Sequence, residues 1–169
     1  MPYTPLHIGP GILIGLPLKD KVDLPVLILV NIVIDIEPLL IGLYWPWYYA
    51  HAYYHTFLVG SLLGVMSGLI AYPGRGALGR LMKMLHLPYS PDLKKMILSG
   101  VLGVWLHIFV DSLAEPSIRP FFPAKFNPYY GLISLSITRL ICSLSFIPAV
   151  LLYVYYCRRY KRSDARENK

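Results

Sequence analysis

The chain has 169 residues, 56% of them hydrophobic, with a formal net charge of +7 and a mean hydropathy of +0.52. This is one domain's worth of sequence, and it is more apolar than a soluble domain of its size normally is. The aromatic residues sit in the apolar runs and not among the basic residues, which argues against a nucleic-acid interface.

Taken in chain order, the first apolar run is residues 8–18, IGPGILIGLPL. It is too short to cross a bilayer comfortably and is interrupted by Pro10, Gly11, Gly15 and Pro17. A half-helix or re-entrant segment is expected. A signal peptide would need a basic stretch before the run and a small-x-small cleavage site after it, and neither is present. Residues 24–43, 56–72, 96–113 and 131–156 follow. Each approaches the ~20 residues, range roughly 17–25, that an apolar helix needs to span. The expected fold is all-α: a multi-pass transmembrane helix bundle with four full spans plus a short N-terminal half-helix or fifth span. Residues 1–157 would form the membrane-embedded domain. Residues 158–169 would form a basic tail, read as a disordered anchor near anionic headgroups. Cys142 and Cys157 fall in the last run, roughly 22 Å apart on one helix, which excludes a disulfide between them.

The basic residues are not spread evenly. Arg75, Arg80, Lys83, Lys94 and Lys95 lie between the second and third full runs, and Arg158, Arg159, Lys161, Arg162, Arg166 and Lys169 fill the tail. The positive-inside rule puts both groups on the cytoplasmic side of a cell-membrane protein. Residues 44–55 (YWPWYYAHAYYH) and 115–130 are then the outer loops, and the first has the aromatic content of an interfacial belt. On this map His7, Asp35, Glu37, His51, His55, His107 and Asp111 all gather at the outer end. His86 lies at the other end and is set aside.

Ionisable residues within spans mark functional sites, because a lone charge in lipid is costly. Asp35, between Ile34 and Ile36, is the hardest to explain otherwise. His51 and His55 are four residues apart, as are His107 and Asp111. On a helix, each pair would present two side chains on one face, one turn apart. That is how a helix supplies two ligands to one metal. The expected metal ligands are His7, Asp35, His51, His55, His107 and Asp111. Imidazole with carboxylate suits zinc, with manganese or iron as further options, and six candidates leave room for one ion or two. Each residue also has a plainer reading: His51 as a solvated loop residue, His107 as a hydrogen-bonded core histidine, Asp111 as a helix cap or a partner of Arg119. Glu37, beside the helix break expected before Pro38, is assigned to general-base or supporting work, and Asp111 is the other candidate proton acceptor.

In the outer loop after Asp111, Arg119 and Lys125 stand where an anionic substrate would arrive. Arg119 equally suits a structural pairing with Asp111 or Glu115. Arg139, inside the last run, needs a partner of the Asp35 or Glu37 type.

The order of these motifs resembles the DUF457 (YdjM-like) family of membrane-bound metal-dependent hydrolases. The matching elements are Thr4-Pro5-Leu6-His7, Asn31-x-x-x-Asp35-x-Glu37-Pro38, His51-x-x-x-His55-Thr56, His107-x-x-x-Asp111 and the Arg119-Pro-Phe-Phe-Pro loop. The resemblance covers nearly the whole chain except the basic tail. It implies a helical, metal-dependent phosphoesterase distantly related to zinc-dependent phospholipase C and P1 nuclease, although the extra histidines of those soluble relatives are absent here. The expected activity is hydrolysis of a phosphoester or lipid-linked substrate at the outer membrane face, with the lipid bilayer as partner. The alternative is a non-enzymatic protein: a small transporter, or a metal-binding or structural membrane protein.

Overall fold

The computed structural model describes residues 4–44 and 54–167. Among these, all regular structure is helical. The helices are α1 (Thr4–Gly15), α2 (Leu24–Val33), α3 (Ile36–Tyr44), α4 (Phe57–Ala71), α5 (Arg75–Met84), α6 (Leu93–Ser112) and α7 (Leu135–Glu167). Three stretches are long and apolar enough to cross a membrane: Leu24–Ile41, Leu93–Ser112 and Leu135–Arg162. In length and composition they fit a multi-pass membrane bundle. The 56–72 run forms α4, which at 15 residues is only about 22 Å long against a hydrocarbon core of ~30 Å. It counts as a fourth crossing only together with α5, and the two helices are bent by 84°. Residues 5–15 form a short apolar helix, in keeping with the expected half-helix.

Local chemistry sets the helix boundaries. Asp23 caps α2 by accepting from Val26 N at 3.1 Å, and Pro25 sits in the first turn, where its missing N–H does no harm. Pro38 cannot donate to the carbonyl of Ile34, and its ring crowds that carbonyl, so the helix breaks at Ile34–Asp35 and restarts as α3. Asp35 therefore stands in the break between α2 and α3. Thr56 caps α4 through Val59 N, and Asp92 caps α6 through Lys94 N and Lys95 N.

α6 is the axis of the bundle, with α4 packed antiparallel on one side and α2 on another. The α4 contact is made by glycine. A Cβ on Gly64 would meet the backbone of Gly100 and Val101, one on Gly68 the backbone of Met96 and Ile97, and one on Gly100 the backbone of Gly64. Small residues at this spacing let two helices approach until their backbones touch, where dispersion replaces the hydrophobic drive that lipid cannot supply. α1 packs chiefly on α7 and also on α2, with Gly9 against Ser145 and Phe146, and Gly15 against Leu24. Two apolar clusters result. Val30, Ile34, Val104, Ile108 and Ile118 lie beneath one end, and Leu16, Leu24, Met82 and Leu87 lie at the other.

Two expectations change. The segment 75–84, read as part of a basic loop, is the helix α5. The tail, read as disordered, continues α7 as helix to Glu167. A regular helix satisfies its own backbone wherever it lies, and only Pro148 interrupts α7's hydrogen bonding.

Candidate metal centre

The site is built at the end of the bundle where α1 begins, α2 breaks, α4 begins and α6 ends. α6 contributes His107 and Asp111 from successive turns, with His107 Nε2 and Asp111 Oδ2 3.3 Å apart. The helix break contributes Asp35, whose Oδ1 is 3.3 Å from both His107 Nε2 and His55 Nε2. His55 comes from the turn just before the Thr56 cap, with Nε2 4.0 Å from Asp111 Oδ2. α1 contributes His7, whose Nε2 is 3.0 Å from the other Asp111 oxygen, Oδ1, and whose ring stacks on that of His107 with centroids 4.1 Å apart.

These side chains are enclosed: His107 and Asp111 are 0% exposed, His7 and His55 1% and Asp35 7%. One ligand atom from each of Asp35, His55, His107 and Asp111 lies within 4.8 Å of all the others, so this buried group could hold a metal ion. Tetrahedral zinc, with bonds of about 2.0–2.2 Å, sets its ligands about 3.3–3.5 Å apart. Three of the observed nitrogen–oxygen separations fall at the lower edge of that range.

The side chains of the cluster are ion-paired with one another, but the pairs lack good hydrogen-bond geometry. His7 Nε2, both ring nitrogens of His107 and both carboxylate oxygens of Asp111 have no hydrogen-bond partner of proper geometry among the described residues. Burying such groups unsatisfied costs about 1–3 kcal/mol each, and more when charged. A cation on which they converge would satisfy several of them at once. His7 touches this group through Asp111 Oδ1 and the ring of His107.

The remaining sequence candidates have distinct places. Glu37 Oε2 accepts the backbone N–H of Tyr54 at 2.8 Å, tying the first turn of α3 to the residue before His55. His51 lies outside the described residues. His55 is not on a helix, so the expected helical pairing of His51 with His55 does not hold at His55, which Thr56 keeps just outside α4. Arg119 and Lys125 are exposed on the 113–131 segment. That segment folds back over the site end: Pro120 O accepts from Phe57 N at 2.8 Å, Asn127 Nδ2 donates to Ser112 O at 2.8 Å, and Ile118 is fully buried. Asp111 pairs with His7 and His107, which replaces the expected structural pairing with Arg119. Cys142 and Cys157 are free thiols.

The backbone bond from Tyr54 to Glu37 was not legible in the sequence, because no residue pattern marks a main-chain donor. The burial of Ile118 had a weak signal: an aliphatic residue in the proline-rich 115–130 loop, whose other large apolar residues are aromatic.

No family model, curated protein or solved structure matches this chain.

Proposed function

We propose that the chain is a membrane-embedded, metal-dependent hydrolase acting on a phosphoester or lipid-linked phosphate at the end of the bundle that carries the histidines. The observation supporting this most directly is the convergence of buried Asp35, His55, His107 and Asp111 on a centre the size of one divalent ion. Zinc fits the imidazole and carboxylate set best, with manganese and iron next. Once bound, such an ion supplies Lewis acidity and lowers the pKa of water toward about 7. Asp35, His55 and His107 would hold it. Asp111 would share that task and accept the proton, with His7 fixing its outer oxygen. Glu37 would keep His55 in place through Tyr54. Arg119 and Lys125, exposed on the overlying segment, would receive the anionic group. The resemblance of the motif order to that of the DUF457 (YdjM-like) family supports the same reading, as do the basic residues that would set the opposite end in the cytoplasm.

The close enclosure of the site favours a second reading, a metal-binding membrane protein without turnover. Metal analysis and activity together separate the two. The detergent-purified protein should carry about one Zn²⁺, Mn²⁺ or Fe²⁺ per chain, and chelation should abolish hydrolysis of a phosphodiester or phospholipid panel until metal is returned. Arg119→Ala should raise KM while leaving metal content unchanged. Stoichiometric metal with no hydrolysis across the panel would select the second reading, and absence of metal at micromolar concentration would sink both.

A further inference from the structure

The end of the molecule opposite the histidines carries a second surface that the proposed hydrolysis does not use. α5, RGALGRLMKM, contains three cations and no acid. At 100° per residue, Arg75, Lys83 and Arg80 fall within one arc of its circumference, while Ala77, Leu78, Leu81, Met82 and Met84 fill the opposite one. Only part of the apolar arc is used internally. Met82 is buried beside Leu16, Leu24 and Leu87, with Tyr153 and Tyr156 of α7 packed against the cluster. Leu81, Met84 and Leu85 remain 47%, 75% and 40% exposed. All three cations are exposed as well.

Orientation decides what such a helix can meet. α5 is turned 84° from α4, so when α4 points into the bilayer α5 lies along its surface. It is also held there. Tyr153 Oη donates to Leu85 O at 3.1 Å, fixing the end of α5 to α7, and Arg75 both bonds Tyr72 O at 3.1 Å and sits over the Tyr72 ring. Arg158 and Arg159 of α7 are exposed beyond the same end.

We infer that α5 is an in-plane interfacial helix that binds anionic phospholipid headgroups, its exposed leucines and methionine resting on the acyl chains and its cations on the phosphates. A large division between polar and apolar faces, with basic residues on the polar one, is what holds a helix about 5–10 Å into the headgroup boundary. Each cation near an anionic leaflet contributes about 1 kcal/mol, roughly fivefold in affinity. Charge complementarity therefore selects anionic over zwitterionic lipid.

The test uses the full chain in nanodiscs of phosphatidylcholine alone or with added phosphatidylglycerol. Native mass spectrometry after release should show bound phosphatidylglycerol enriched over the disc composition. The exposed-residue variant Arg75→Gln/Arg80→Gln/Lys83→Gln should lose that enrichment roughly tenfold or more, while Arg158→Gln/Arg159→Gln should keep most of it. A spin label at Met84→Cys, in a Cys157→Ser background because Cys142 is buried, should be shielded from aqueous relaxants and reached by oxygen. Equal lipid retention in wild type and the α5 variant, loss only in the α7 variant, or a label open to water in both discs would each overturn the inference. None of these readouts depends on bound metal or on hydrolysis.

Discussion

Charge is handled in opposite ways at the two ends of this bundle. At one end His107 and Asp111 are wholly buried and packed against His7, His55 and Asp35 at 3.0–4.0 Å. At the other, Arg80 and Lys83 of α5, Lys94 of α6 and Arg158 of α7 are exposed. Isolated cations in water or among headgroups need no partner, and a surface ion pair would add at most about 1 kcal/mol. Buried ionisable groups must share one another or a metal. Convergence under burial, more than the presence of charge, distinguishes a candidate site from a solvated or lipid-facing surface.

That contrast can be broken by experiment, and the largest effect is expected at its centre. Asp111→Ala removes the carboxylate that both His7 and His107 face. Zinc affinity measured by competition with a chromophoric chelator should fall by more than the roughly 10–100-fold typical of a supporting residue. The metal-free protein should also be less stable, since breaking a buried pair costs about 3–5 kcal/mol. An Asp111→Ala protein with wild-type metal content would end the single-ion picture.

Next in size is Gly100→Val. The added atoms would have to enter the backbone of Gly64, and overpacking of this kind typically costs about 1–3 kcal/mol. Thermal unfolding in detergent should shift down by several degrees, and metal affinity should fall with it because α4 leads directly from His55. An unchanged melting temperature would show that the glycine contact does not hold the two ends together.

His7→Ala should cost about 10–100-fold in metal affinity while leaving stoichiometry at saturation intact, as expected of a residue that orients Asp111. Loss of stoichiometric metal would promote His7 to ligand. Smallest of all, Asp92→Ala at the basic end should lower stability by about 1 kcal/mol through loss of the α6 cap and leave metal binding alone. A metal effect there would mean that the two ends are coupled more tightly than their packing suggests.

Much of the site could be read from residues alone because lipid makes polarity conspicuous. Asp35 stood out between two isoleucines, and the four-residue spacing of His107 and Asp111 translated directly into one helical face. The break at Asp35 followed from Pro38. What escaped was whatever depends on main-chain direction. α5 is ten residues long, begins after Pro73 and Gly74, and carries two internal glycines, so its local signals favoured a loop. Packing of Met82 against Leu16, Leu24 and Leu87 overrode them, as tertiary context commonly does to weak propensities. The span count, three or four according to whether α4 and α5 make one bent crossing, turns on a related feature. The apolar run 56–72 is long enough on paper, but Thr56 is spent as the cap and the helix turns sharply after Ala71.

The packing of α1 has a consequence for biosynthesis. This helix is too short to span and leans chiefly on α7, the last helix to be made. Chains emerge from the ribosome N-terminus first at about 5–20 residues per second. His7 is thus translated before the other site residues, and α1 gains its main packing partner only when α7 follows. α2, α4 and α6 can assemble Asp35, His55, His107 and Asp111 beforehand, and arrival of α7 then locks His7 against Asp111.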